Sequence, residues 1–439
     1  MTTVTRIESL NRFDPDSAPP ADPETARALA RRRRNVGSSS ILFYREPLEI
    51  VRGEGCWLYA ADGRRFLDVY NNVQSVGHCH PHVVEAMARQ AALLTTHTRY
   101  LGQTVDAYME RLLATFGDGM DNLVMTCTGT ESNDLALRLA AAVTGKTGVV
   151  VTQAAYHGNN AAVGAVSPSS AMTRDLAPHV RSIALPPSGA ADAGVIFARN
   201  LQAAIDALEA SGHGFSTLLV DTIFSSDGVF ADPAGFLAEA LAVTHAAGGL
   251  FIADEVQPGF GRTGGGLWGY QRHAIAPDIV TMGKPMGNGY PMGGVAMRSE
   301  ILDAFTSRTG YFNTFGGNAV AAATGAAVLD VIETEGLVEN AATTGAYLKQ
   351  GLIDLAATCP RIGEVRGAGL FVGIDIIDPA TGAADSPGTV DTINSLKNNG
   401  ILIGAAGLNG NTLKIRPPLC FGKAEADVFI ETIGRVLGA

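Results

Sequence analysis

Residues 249–264 read GLFIADEVQPGFGRTG, and residues 277–295 read PDIVTMGKPMGNGYPMGGV. Each opens as a short apolar run of the kind that forms a buried strand, then breaks into a glycine-rich loop. Alternation places Leu250, Ile252, Asp254 and Val256 on one face of the first run. A carboxylate therefore sits late in a strand that should be buried, where it needs a cation or several hydrogen-bond donors. The second run delivers Lys284 thirty residues later, between Gly283 and the loop glycines Gly287 and Gly289. In a parallel sheet, a crossover of that length returns both groups to the same sheet edge. Taken alone, either residue is equally an ordinary ion-pair partner.

Working outward, the apolar runs NLVMTC, GVVVTQ and STLLVDTIF alternate with the helix-like segments NDLALRLAAAVTG and AGFLAEALAVTHAAGG. This is the pattern of an α/β architecture with a mainly parallel sheet, whose ligands lie beyond the carboxyl ends of the strands. After about Glu333 the texture changes to one long helix pattern and the short runs EVRGAGLFVGIDII and TLKIRPPLCF, expected to form a smaller domain. The expected division is an N-terminal arm and small-domain segment (1–75), a large domain (76–332) and a C-terminal small domain (333–439).

The formal net charge of −11 counts against nucleic acid or an anionic membrane as the main partner. No apolar run approaches the length that spans a bilayer, and the start MTTVTRIESLNRFDPDS lacks the apolar core of a signal peptide. Cys56, Cys79, Cys127, Cys359 and Cys420 are scattered and odd in number, which fits free thiols in a reducing cytoplasm. The tetrad Arg31–Arg34 reads as the polar face of an N-terminal helix.

NLVMTCTGTESNDLALRLA (residues 122–140) is a strand, a turn and a helix. Thr128 and Glu131 have capping-box spacing, Gly129 frees the turn, and Thr130 and Ser132 add hydroxyls at the positive end of the helix dipole. That is an anion seat, although the same features also describe an ordinary capped helix. The stretch lacks the glycine patterns of triphosphate and dinucleotide loops. Tyr156, in TQAAYHGNN, adds an aromatic after another strand. An anion seat, a ring to stack on, a buried acid and a desolvated lysine together suit pyridoxal 5′-phosphate. Its aldehyde forms a Schiff base with lysine, and an acid keeps its ring nitrogen protonated.

On these two opening stretches the chain resembles the class III, fold type I pyridoxal-phosphate-dependent aminotransferases, from about Ser40 to the C-terminus. The resemblance implies an aspartate-aminotransferase-like large domain with a mainly parallel sheet, plus a smaller α+β domain. It assigns Lys284 as the Schiff-base lysine and Asp254 as partner of the pyridine nitrogen. It places Gly129 and Thr130 at the phosphate, Tyr156 on one ring face with His157 beside it, Val256 on the other face and Gln257 near the phenolic oxygen. It also implies a homodimer or a dimer of dimers with sites at the interface, where Thr314 of YFNTFGGN reaches the neighbour's phosphate. The activity implied is transfer of an amino group from a primary amine or amino acid to a keto acid or aldehyde. GHCHPH (residues 77–82) is carried by that family without metal, and Pro81 reads as a helix start.

LFYREPLEIVRGEGCWLYAADGRRFLDVYNNVQSVGHCHPHVVEA, HTRYL and LKIRPPLCF are similar to a subgroup that includes phospholyases of phosphoethanolamine and phosphohydroxylysine. Elimination of phosphate and ammonia, or epimerisation, would use the same cofactor residues. Family members that take 2-oxoglutarate often carry an arginine before I-x-P-P and a glutamate that switches it. Here Lys414 stands at the arginine's place, Arg416 follows two residues on, and Ser226 replaces the glutamate. Tyr44, Arg99, Lys414 and Arg416 are the expected substrate contacts, and Arg45 is a further cation within reach of the argument.

Overall fold

The computed structural model describes residues 10–16, 18, 21–39, 41–170 and 176–438. Among the described residues, three strands come first: β1 (Ile50–Glu54), β2 (Trp57–Ala60) and β3 (Arg65–Asp68). The middle of the chain supplies β4 (Asn122–Thr126), β5 (Gly148–Thr152), β6 (Val180–Ile183), β7 (Phe215–Asp221), β8 (Leu250–Asp254), β9 (Ile279–Met282) and β10 (Gly293–Met297). The last part supplies β11 (Ile362–Ala368), β12 (Phe371–Ile376), β13 (Ile401–Leu402), β14 (Gly404–Ala406) and β15 (Thr412–Ile415).

The central sheet runs in the order β4-β10-β9-β8-β7-β5-β6. Strands β5 to β9 pair in parallel, and β10 alone runs antiparallel, between β9 and β4. Every residue of β5, β8, β9 and β10 is buried, which explains why these strands read as unbroken apolar runs: both faces of the sheet are covered. Alternation still operates inside those runs. Val150, Leu218, Phe251 and Val280 face one core, while Val149, Val151, Leu219, Ile252 and Ile279 face the other. Helices Gly129–Thr144, Ala193–Ala210 and Ala238–Ala246 make the crossovers. Asp254 and Lys284 thus reach the carboxyl edge of neighbouring parallel strands, as the thirty-residue spacing requires.

Two four-stranded sheets flank this body, β1-β2-β3-β13 and β11-β12-β15-β14. Pairing of β3 with β13 ties residues 65–68 to residues 401–402. On that pairing we read the N-terminal segment and the residues after 332 as one smaller unit, although helix Ala319–Thr334 runs across that boundary. The arginine tetrad lies in the exposed helix Pro23–Val36, capped by Asp22, whose carboxylate accepts from the backbone N–H groups of Glu24 and Thr25. No helix among the described residues is long and apolar enough to cross a membrane.

Helix Leu337–Ala356 shows how closely the smaller unit is packed. A Cβ on Gly345 would stand 2.2 Å from the backbone carbonyl of Gly369, whereas one on Gly351 would meet only the flexible tip of Ile430 at 2.5 Å. Alanine raises helix propensity by about 1 kcal/mol at either site. At Gly345 the clash with backbone outweighs that gain, so Gly345→Ala is expected to destabilise by about 1–3 kcal/mol. Calorimetric unfolding of both variants checks this: Gly351→Ala should melt close to the parent and Gly345→Ala clearly below it. The reverse order would contradict the packing described.

Candidate active site

The carboxyl edge of the central sheet opens into a cavity lined by Gly129, Thr130, Tyr156, Asp254, Val256 and Lys284. Gly129 begins the helix after β4, and a Cβ there would lie 2.8 Å from Val256 Cγ2. Glycine is what lets the helix start close onto the end of β8. Thr128 is the N-cap, its Oγ1 accepting from Glu131 N at 3.1 Å. The reciprocal half of the box closes one residue early, because the Glu131 carboxylate accepts from Cys127 N at 2.9 Å. Ser132, expected to offer its hydroxyl to an anion, turns inward instead. Its Oγ lies 2.8 Å from Thr126 Oγ1 and 3.0 Å from the Met282 carbonyl oxygen, so the anion seat rests on the helix start, Gly129 and Thr130.

Asp254 is buried and fixed by three donors. Its Oδ2 accepts from His157 Nδ1 at 2.7 Å and Asn133 Nδ2 at 2.9 Å, and its Oδ1 accepts from Val256 N at 3.0 Å. Asn133 is held in turn by the Thr281 hydroxyl, which donates to its Oδ1 at 2.6 Å. Three donors replace the hydrogen bonds to water that a buried carboxylate has given up. With Nδ1 spent on the acid, Nε2 of His157 is buried without a partner. Glu255 points the other way and accepts from Thr222 and from the backbone of Gly269 and Tyr270. Burial pushes its carboxyl up to about 7.

Lys284 follows Gly283 at the end of β9 and takes a left-handed backbone conformation, φ 26°. Strain of this kind costs about 1–3 kcal/mol and gathers at functional sites. Among the described residues its Nζ has no hydrogen-bond or ion-pair partner. Burial holds the ammonium below the ordinary lysine range, opposed by the charge of Asp254 and assisted by that of Arg416. A free amine, a carboxylate held ionised, an aromatic ring and an open helix start fit pyridoxal phosphate: Lys284 suits its aldehyde, Asp254 its ring nitrogen, and Gly129 and Thr130 its phosphate.

A second cavity shares Tyr156, Gln257 and Lys284 with the first and adds Phe43, Ser226, Lys414 and Arg416. Gln257 links the two sides. Its Nε2 donates to Ser225 Oγ at 2.6 Å, and its Oε1 accepts from Arg416 Nη1 at 2.6 Å. Ser225 in turn donates to the half-buried Asp221. The Arg416 guanidinium also reaches Asn72 Oδ1 at 3.3 Å and lies 4.8 Å over the Tyr70 ring. Lys414 is 6% exposed and has no hydrogen-bond or ion-pair partner among the described residues. Burial lowers both cations from their ordinary values, and Arg416 lowers Lys414 further.

Four expected contacts, Tyr44, Arg99, Thr314 and Arg45, fall outside these cavities. The Tyr44 hydroxyl donates to Ile403 O at 3.4 Å, and its neighbour Phe43 takes the place on the wall. Arg99 is exposed, with its guanidinium 3.9 Å from the centre of the Phe312 ring, and Thr314 is exposed nearby in sequence. Arg45 pairs with Asp391. In GHCHPH each histidine faces a carboxylate of its own: His78 to Asp68 at 2.6 Å, His80 to Glu335 at 2.9 Å and His82 to Asp330 at 2.8 Å. Sequence reasoning missed Asn133, Thr281 and the Ser225–Gln257 link. For Asn133 a signal existed: it lies four residues after Gly129, on the same helix face.

Replacing Asp254 by asparagine removes the charge while keeping the shape. Turnover is expected to fall about 10²–10³-fold with the melting temperature little changed. Near-normal turnover in steady-state assay would contradict the role given to Asp254.

Known proteins share this fold and a large part of this sequence. The family model for Aminotransferase class-III matches residues 44–437. Alanine–glyoxylate aminotransferase 2 homolog 2, mitochondrial, from Arabidopsis thaliana is 38% identical over 415 residues, covering 92% of this chain and 86% of that protein. Ethanolamine-phosphate phospho-lyase homolog 1 from Caenorhabditis elegans is 35% identical over 461 residues, covering 99% of this chain and 98% of that protein. Among solved structures, a phospholyase from Arthrobacter in complex with phosphoethanolamine matches with TM-score 0.90 and 43% identity, covering 94% of this chain and 99% of that one.

Proposed function

The chain belongs to the class-III aminotransferase family, and we propose that its amine substrate carries an anionic group held by Lys414 and Arg416 beside Lys284. It is a pyridoxal-phosphate-dependent enzyme of fold type I, as membership of that family implies. The cofactor, when bound, supplies an electron-poor ring that takes up the electron pair left as a bond to the amine-bearing carbon breaks. Asp254 holds a proton on the ring nitrogen, because its own charge is fixed by His157, Asn133 and Val256 N. Tyr156 and Val256 line the cavity and would keep water from the faces of the ring. Lys284 Nζ would take the proton from the substrate carbon and, in transamination, return it to the cofactor's former aldehyde carbon, the work of a general acid–base. The carrying observation is that Lys284 has no hydrogen-bond or ion-pair partner among the described residues while standing at the same sheet edge as Asp254.

A second reading, phosphate elimination, is favoured by one feature of the substrate cavity. Lys414 and Arg416 lack a carboxylate within ion-pair distance among the described residues, and Ser226 lies on their cavity wall. Two cations are neutralised by one phosphate dianion, but only one of them by a carboxylate. The named activities of the Caenorhabditis and Arthrobacter proteins support this reading.

For assembly, the homodimer is supported by an outer cavity where Leu94, Tyr100, Leu101 and Phe312 stand exposed beside the Thr314 segment. Thr314 then serves the partner's phosphate seat. Light scattering should give twice 45.6 kDa or a multiple of it, and a monomer would contradict this assembly. The free thiols support a reducing cytoplasm, whereas the Arabidopsis protein is named mitochondrial.

The deciding experiment incubates holoenzyme with a panel of amines, amino acids and phosphorylated amines, with and without a keto acid. Transamination yields a carbonyl product only with the acceptor present, matched by a new amino acid. Elimination yields inorganic phosphate and ammonia without any acceptor. Neither pattern on any substrate would contradict both readings. Ser226→Glu adds a carboxylate to the cavity wall and should raise KM for the anionic substrate about tenfold or more, with kcat less affected. An unchanged KM would remove Lys414 and Arg416 from substrate binding.

A further inference from the structure

Two of the free cysteines meet far from each other in sequence: Sγ of Cys56 and Sγ of Cys420 lie 3.4 Å apart across 364 positions. Cys56 sits in the turn between β1 and β2, its carbonyl accepting from Asp68 N at 2.8 Å. Cys420 closes the segment that begins at Arg416. In that segment Arg416 N donates to Val69 O at 3.0 Å, and Leu419 N donates to Ser75 O at 2.7 Å. Asn340 Nδ2 donates to Leu419 O at 2.6 Å, and Arg262 donates to Pro417 O. Gly77 closes over the pair, where a Cβ would stand 3.0 Å from the Cys420 sulfur. The thiols are therefore held together by fixed backbone on several sides.

The two sulfurs are chemically unequal. Cys56 is buried and Cys420 half-buried. The contact between them holds the Cys420 thiol below its usual range, and the same contact with burial pushes the Cys56 thiol up. Cys420, the more exposed of the two, is the sulfur an oxidant reaches first, and Cys56, buried 3.4 Å from it, is placed to resolve. We propose that Cys56 and Cys420 are a peroxide-oxidised dithiol, whose disulfide pins the Arg416 segment to the β1–β2 turn. The Cys420 thiolate attacks one peroxide oxygen and breaks the O–O bond. Water leaves with the Cys420 proton, and a sulfenic acid remains. Cys56 then attacks that sulfur, the S–O bond breaks, and a second water leaves with the Cys56 proton. Two thiols are oxidised, one peroxide is reduced, and two waters form. The sulfurs must close from 3.4 Å to about 2.0 Å.

The test treats reduced holoenzyme with about one equivalent of hydrogen peroxide, followed by non-reducing digestion and mass spectrometry. The expected result is a peptide pair joined through Cys56 and Cys420, with a melting temperature raised on the order of 5 °C and restored by dithiothreitol. Cys56→Ser should lose both effects, while Cys79→Ser, at the exposed cysteine, should keep them. Oxidation found only at Cys79 or Cys127, or a cross-linked form that melts no higher than the reduced one, would overturn the proposal.

Discussion

The structure depends on supplying one buried carboxylate with hydrogen-bond donors where water is scarce. Asp254 ends a strand buried on both faces, and nothing on that strand neutralises it. Its charge is maintained by three N–H donors brought from three places: the helix after β4, the loop after β5 and the turn after β8. Each of those elements also lines the cofactor cavity, so the acid organises the site that surrounds it. Lys284 is then the complementary element. It stands on the adjacent strand, close enough to feel the acid's charge yet without any contact that would spend its amine.

Part of this was legible from residues alone. The apolar runs gave the strands because a doubly covered sheet needs no polar face, and the spacing between Asp254 and Lys284 gave a shared edge because parallel strands require a crossover. The reversed direction of β10 was not read, since GGVAM is as apolar as its parallel neighbours. Only the short link from Lys284 to Met292, too brief for a crossover, carried that information. Pairing of β3 with β13 joins segments over three hundred residues apart, and no local pattern encodes it.

Side-chain direction was the least legible property. The spacing of Thr128 and Glu131 located a helix start but left open which way Ser132 turns, and it turns to Thr126 and Met282. Tyr44 and Phe43 are adjacent, yet only Phe43 lines the cavity. The pair Lys414 and Arg416 was legible as a departure from the family pattern. That both cations line one wall, with Gln257 accepting from Arg416, follows only from the tertiary packing that brings the end of β15 to the loop after β8.

The most direct test of the role given to Lys284 is chemical. Borohydride reduction of the holoenzyme, digestion and mass mapping should place one cofactor mass on the peptide containing Lys284. Lys414 is the discriminating control, being a second lysine on the adjoining wall without a hydrogen-bond or ion-pair partner among the described residues. Cofactor fixed to Lys414, or to no lysine at all, would contradict the assignment of Lys284.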